Sequence, residues 1–358
     1  MTNAEKIIRH SSSMYLTSTQ TASPWPHRWA IALACATFPL LWVGGLVTTT
    51  KAGMAVPDWP NTYGYNLFLY PWSTWIAGPW DIFVEHGHRL IAATVGMITI
   101  GLTIVLWRGE NRRWVRGLGI AALALVITQG IMGGLRVLWD ERTLAMFHGV
   151  TGPVFFSLAV ALAVFTSKRW MSGATGSVTV LANAKSNAGA GAIRALATVT
   201  CILVYLQIVV GAVLRHIPIG ADPSTFALAV RFHLFLAAVL ALHVALLVYL
   251  VLRCVRSVRP LAGLALTLAV LLLVQLSLGA GTWIVKYAIH AWAADWLPPM
   301  TTAIQDGGAM QTHIITAHVA VGSLLLATAL ALALYAHRFL TTRNAKRSVV
   351  LGPLEAAV

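Results

Sequence analysis

Eight long apolar segments constrain this chain more than any other feature. Residues 29–50, 88–107, 114–135, 146–167, 195–214, 232–252, 260–285 and 314–336 match or approach the roughly 20 residues a helix needs to cross the hydrocarbon of a bilayer. No water is available there for backbone N–H and C=O groups, so runs of this length must satisfy them internally, as helices. Composition leads the same way: 58% hydrophobic residues, 10% charged and a mean hydropathy of +0.75 exclude an ordinary soluble domain. The expected fold class is an all-α polytopic membrane protein with eight transmembrane helices.

A net charge of +14 would point to nucleic acid if it were gathered on one binding face, so its placement decides. Let the amino end, the second, fourth and sixth connections and the carboxyl end share one side of the membrane. That side then holds 18 Lys and Arg against Glu5, Glu110 and Glu355, and the other side holds seven bases and eight acids. This is the positive-inside pattern. It predicts cytoplasmic termini in a cell (inner) membrane, an outward-facing Glu85, and no nucleic-acid partner. Residues 1–24 are polar and without an apolar core, so they read as a tail rather than a cleaved signal, with the first span as membrane signal. Cys35, Cys201 and Cys254 fall in or beside spans, which gives no disulfide framework and no zinc site.

A pattern of polar residues repeats along the spans. Gln129, Gln207 and Gln275 each precede a glycine by four residues in spans three, five and seven, and His88, His148, His233 and His318 stand at the outer ends of spans two, four, six and eight. The chain therefore divides into a tail (1–27), a four-helix half (28–168), a Gly-, Ser- and Ala-rich cytoplasmic linker (169–194), a second four-helix half (195–338) and a second tail (339–358). The two halves read as tandem four-helix bundles related by an internal repeat of the same orientation. The long connection after the first span is rich in Trp, Tyr and Pro; it suits an interfacial aromatic belt and equally a lid.

One histidine at a helix contact is unremarkable in chemistry, but four at matched depth suggest ligands. Two facing helices per half, each offering one imidazole, give the bis-histidine arrangement that holds haem iron. His88 pairs with His148 and His233 with His318. Copper or zinc is the rival metal, yet no cysteine or acidic cluster accompanies the imidazoles apart from Glu85. His318 is preferred over His313 because His318-x-x-x-Gly322 repeats the spacing of His148-x-x-x-Gly152. His243 lies about 15 Å below His233 on a helix and reads as a packing or hydrogen-bonding residue. His216, Arg89 and Arg231 are candidates for contact with haem propionates.

In Glu85-His86-Gly87-His88-Arg89, Glu85 and His88 lie three apart and share a helix face, while His86 points elsewhere. Ala145, Val230 and Ile315 occupy the position of Glu85 before the other three histidines. Only the first half has a carboxylate beside its ligand, which suggests one catalytic haem site and one that transfers electrons or is structural.

These residues resemble the haem A synthase family over about residues 28–338. The resemblance rests on the eight-span repeat, Gly44-Gly45-Leu46-Val47, Gly53, Pro57-Asp58-Trp59-Pro60, Glu85-x-x-His88-Arg89 and the later histidines. It implies that His88 and His148 flank the substrate, haem O, that Glu85 is the catalytic carboxylate, and that His233 and His318 ligate a resident haem b. It implies oxidation of the C8 methyl of haem O to a formyl group by successive hydroxylations, for cytochrome oxidase assembly. The implied partners are a haem O synthase that supplies substrate and an electron donor such as a ferredoxin-like protein, besides the lipid bilayer. Some members carry a cysteine pair in outer loops; here Val56 precedes Pro57, so no loop disulfide is expected, and Thr50–Ala55 also departs from the commoner loop. A di-haem membrane cytochrome that only transfers electrons, or a haem-binding oxidase assembly factor, is the alternative.

Overall fold

The computed structural model of the protein describes residues 23–172, 184–218, 220–256, 258–287 and 308–340. Eight helices among them are long and apolar enough to cross a membrane: α1 Trp25–Thr49, α2 Trp80–Gly109, α3 Arg113–Leu138, α4 Arg142–Thr166, α5 Ala184–His216, α6 Pro223–Cys254, α7 Arg259–Tyr287 and α8 Ala309–Phe339. The chain is a multi-pass membrane protein.

Helices α1 to α4 contact one another in the cycle α1–α2–α3–α4–α1, and α5 to α8 do the same. Each set has its own apolar core. Leu33, Val95, Leu102, Leu106, Phe155 and Leu162 fill the first, and Ile193, Val204, Leu247, Leu268, Leu325 and Leu332 the second. The sets meet through α8 against α1 and α4, and through α4 against α5. Consequently the most apolar stretches of α4 and α8 are 61% and 67% buried, against 17–28% for the other six helices. Those two central helices carry His148 and His318. On the outer six, Met97, Ile100, Ile127, Leu242 and Leu273 are exposed, the faces that lipid covers. Inside the spans, Thr37, Thr99, Thr166 and Thr200 each donate to the carbonyl one turn earlier.

The even-numbered helices begin earlier than hydropathy alone places them. Helix α2 starts at Trp80 with Asp81 in its first turn. Helix α4 follows Glu141, whose carboxylate accepts from Thr143 N, and α6 follows Asp222, which accepts from Ser224 N and precedes Pro223 in the first turn. Caps of this kind set the helix start, and apolar runs do not register them. The histidines therefore lie six to ten residues inside their helices, not at the ends. The expected flexible linker 169–194 is also corrected: Lys168–Ser172 is helical, and α5 is already under way at Ala184. The Ala-rich stretch before Arg194 favours helix, and Ala190 and Ile193 are buried in the second core. Residues 173–183 lie outside the described residues.

Candidate functional site

Four imidazoles sit in four matching nests. A Cβ added at Gly44 of α1 would stand 3.0 Å from Cε1 of His88, at Gly133 of α3 3.2 Å from His148, at Gly211 of α5 3.2 Å from His233, and at Gly279 of α7 3.1 Å from His318. Each odd-numbered helix thus clears a space beside an imidazole carried by the next helix. Any side chain at these glycines would push the ring away.

The nests bring the rings together in pairs. His88 and His148 have ring centroids 6.5 Å apart and near-perpendicular planes, and His233 and His318 are likewise 6.5 Å apart. A metal–nitrogen bond of about 2 Å and roughly 1 Å from nitrogen to ring centre put two imidazoles on opposite sides of one ion about 6 Å apart. Both pairs fit that spacing. The Nδ1 atoms of His88, His233 and His318 are buried with no hydrogen-bond partner, and an unsatisfied buried nitrogen is what a site for an ion leaves. Among the described residues no three His, Cys, Asp or Glu side chains group together. Zinc sites take three or four protein ligands; two imidazoles suit an iron whose other four positions a macrocycle fills.

Two of the glutamines noted in the sequence lie against these rings. Gln129, with its amide nitrogen toward His148, reaches Nδ1 at 2.7 Å while its oxygen accepts from Gly152 N at 3.2 Å. Gln207 lies 3.3 Å from Nε2 of His233 and donates to its carbonyl at 3.0 Å. Gln275 makes no such contact: its side-chain oxygen and Nδ1 of His318 are both buried without a hydrogen-bond partner, and a Cβ on Gly322 would meet the Gln275 amide nitrogen at 3.4 Å.

Glu85 is buried, and its partners are not the expected ones. Oε2 accepts from Val56 N at 2.9 Å and Oε1 pairs with Arg89 Nη2 at 3.0 Å; no hydrogen bond joins it to His88. Arg89, expected as a propionate contact, donates through its guanidinium to the carbonyls of Asp58 (2.6 Å), Asn61 (2.8 Å) and Val56 (2.8 Å), and so binds the outer loop to α2. His86, on another face, meets Thr62 Oγ1 at 3.0 Å and packs against Tyr70 and Trp75.

The connection 50–79 has a buried part and an exposed part. Val56, Thr62 and Ala52 are buried, Trp59 lies so close on Gly134 that a Cβ there would collide with the indole, and Gly53 crosses Arg136. That part covers the outer ends of α2 and α3. Phe68, Leu69, Trp72, Ile76 and Trp80 face outward, 48–74% exposed, as an aromatic belt does. Asp58 anchors the turn by accepting from Tyr63 N and Gly64 N, both at 2.8 Å. Burial pushes its carboxyl up, but those N–H groups and Arg89 outweigh burial and hold it below its ordinary 3.8.

His216 is the last residue of α5, and its Nδ1 lies 2.8 Å from the Ala212 carbonyl. Arg231 is exposed on α6, as is His313 on α8, whereas His318 is the ring that meets His233. His243 Nε2 lies 3.2 Å from the Leu196 carbonyl. Sequence reasoning missed two cations. Arg136 lies against Gly53 of the loop. Arg215 donates to Thr49 Oγ1 at 2.7 Å across the boundary between the two sets of helices. Both read in the sequence as ordinary outer-loop bases.

Fold and site together define a class: a polytopic helical membrane protein with two half-buried imidazole pairs and an outer loop pinned by a buried Glu–Arg pair. Comparison with known proteins narrows it. A family model for cytochrome oxidase assembly proteins matches residues 79–230. Heme A synthase of Shouchella clausii is 31% identical over 105 residues, 29% of this chain and 33% of that protein; that of Geobacillus kaustophilus is 26% identical over 202 residues, 53% and 58%. Protoheme IX farnesyltransferase of Halobacterium salinarum is 33% identical over 137 residues, 37% of this chain and 28% of that protein. The chain thus spans less than two thirds of the length of these relatives. No solved structure matches. The family model and the relatives support the haem A synthase family for this chain.

Proposed function

We propose that the protein is a haem A synthase that oxidises the C8 methyl group of haem O to a formyl group for cytochrome oxidase assembly. The observation that carries the reading is the doubled imidazole pair at 6.5 Å with a buried carboxylate beside only one of them. His88 and His148 would hold the substrate haem O, and His233 and His318 a resident haem b. Matches to proteins named protoheme IX farnesyltransferase fit a farnesylated haem as substrate. The two halves are read as an internal repeat. The termini are placed in the cytoplasm by the basic residues of the even-numbered connections, and electrons would come from a ferredoxin-like donor.

Haem iron, when bound, supplies the oxygen and electron chemistry. The chain's own residues bind, orient and exclude water. Glycine nests fix where each imidazole stands, and the amides of Gln129 and Gln207 fix how two of the rings turn. The loop 50–62, pinned through Arg89, closes the outer ends of α2 and α3, and so shields the first pair from bulk water. Glu85 is held by Arg89 and Val56 N and would hold or hand on a proton at its carboxylate when the loop shifts. Arg89, and Arg136 beside Gly53, would be the cations to meet a propionate at the first pair.

The commitment of both Glu85 oxygens to the loop favours one second reading, an electron-transferring di-haem cytochrome in which Glu85 is structural. Haem extracted from cells that make haem O decides between them. Wild type should yield haem A or its hydroxylated precursor, and Glu85→Gln should lose that product while keeping its bound haem. A wild type that holds haem but never converts haem O with a competent donor would leave the cytochrome.

A further inference from the structure

Helices α5 and α7 both run toward the end of the molecule where the loop 50–79 lies, and each carries a polar side chain one turn beyond its nest. Arg215 stands four residues after Gly211, and Thr282 three after Gly279. Each therefore shares its glycine's side of the helix and lies about 4.5–6 Å further outward. Neither is satisfied by its own half. Thr282 Oγ1 is buried without a hydrogen-bond partner, whereas Thr37, Thr99, Thr166 and Thr200 donate to the carbonyl one turn earlier. Arg215 is half-buried, and no carboxylate pairs with it among the described residues, where the ion pairs are Glu85–Arg89 and Glu110–Arg112. An arginine at a helix end can snorkel to the headgroups, but this one turns inward. Its Nη2 crosses the boundary between the two sets of helices to Thr49 Oγ1 at 2.7 Å and the Gly45 carbonyl at 3.4 Å. Its Nε and Nη1 make no hydrogen bond among the described residues.

A guanidinium with spare donors and a buried hydroxyl thus stand on the two helices that flank the rings of His233 and His318. Donors left so call for a ligand rich in acceptors. We propose that Arg215 and Thr282 form the cradle for a carboxylate of the haem held by the second pair, so that its propionates point outward. The inference rests on the haem reading of the proposed function. A carboxylate accepts from both side chains, and arginine meets it with a fork of N–H bonds. The cation then helps to set the electron affinity of that haem, since outer-shell hydrogen bonding and local charge tune haem iron. The Nη2 contact also links the cradle to the first pair. Thr49 ends α1, five residues after the Gly44 that nests His88, and it accepts from Thr316 Oγ1 at 3.3 Å, two residues before His318.

A redox titration of the full-length, haem-loaded protein in detergent tests it, with the second haem identified as the step missing from His318→Ala. Losing a cation disfavours the added electron. Arg215→Gln should therefore shift that step about 10-fold toward the oxidised form, which is about 59 mV lower for one electron. Arg215→Lys keeps the charge and should stay within about threefold of wild type. Thr49→Val removes the bridge between the sets of helices but not the charge, and should stay within about twofold. Thr282→Val should move the step the same way as Arg215→Gln, by about twofold or more. A shift of less than about threefold in Arg215→Gln overturns the proposal. So does an equal shift in Thr49→Val, which would make Arg215 a strut, or a shift in Arg231→Gln with none in Arg215→Gln. Should Arg215→Gln accumulate poorly, Thr282→Val decides alone: about twofold or more supports the cradle and less overturns it. Failure of the haem reading looks different, since wild type and every variant would then show no haem reduction step at all.

Discussion

Arg89→Leu should release the outer loop while leaving the eight helices folded. In the structure one guanidinium makes three bonds to loop carbonyls and one to Glu85, with the two side chains only 11% and 2% exposed. Removing one partner of a buried ion pair costs about 3–5 kcal/mol, most of it the penalty of the charge left behind. That penalty disappears if the loop lifts and water reaches Glu85. The substitution therefore shifts the balance toward the open loop by nearly this amount, on the order of 10²–10³-fold at about 1.4 kcal/mol per decade. Limited chymotrypsin digestion in detergent reads it directly, because Tyr63, Tyr65 and Tyr70 lie in the loop and cleavage of a rapidly opening segment follows its open population. Arg89→Lys keeps a charge for Glu85 but cannot fork to three carbonyls, so it should fall between, near 10-fold. Cleavage of Arg89→Leu within about fivefold of wild type would refute the view that this side chain pins the loop.

Other expectations concern the same loop and the nests. Thr62→Val deprives buried His86 of its hydroxyl partner, a loss of about 1–3 kcal/mol, and should speed the same digestion roughly tenfold or more. Asp58 has a folded pKa below its ordinary value, so its contribution is complete above about pH 4 and fades as pH falls through the lower folded value. Digestion with an acid-active protease between pH 5 and 2 should show the loop loosening in that window, and Asp58→Asn should remove the pH dependence. Gly133→Val and Gly211→Val, which place atoms against Cε1 of His148 and His233, should each lower haem content by about half, as counted by pyridine haemochrome per chain; full retention in both would sink the nest argument.

The class of fold was legible in the chain because its cause is local. An apolar run of about 20 residues must be a helix wherever the bilayer is the solvent, and no distant residue alters that. The histidines at recurring positions and the Gln-x-x-x-Gly repeat were legible for the same reason, as spacing along one helix. What each residue touches was not. Glu85 and His88 share a face by periodicity, yet Glu85 turned out to serve Val56 and Arg89, and Arg89 three carbonyls of the loop, because burying a carboxylate demands the nearest cation and N–H that the tertiary fold supplies. Gln129 and His148 stand 19 residues apart in sequence, and nothing in either helix announces that the amide would lean on the ring. The sequence alone determined eight helices and the residues able to bind metal; only packing, which brings glycine, amide and imidazole from different helices to one point, decided which of them form a site.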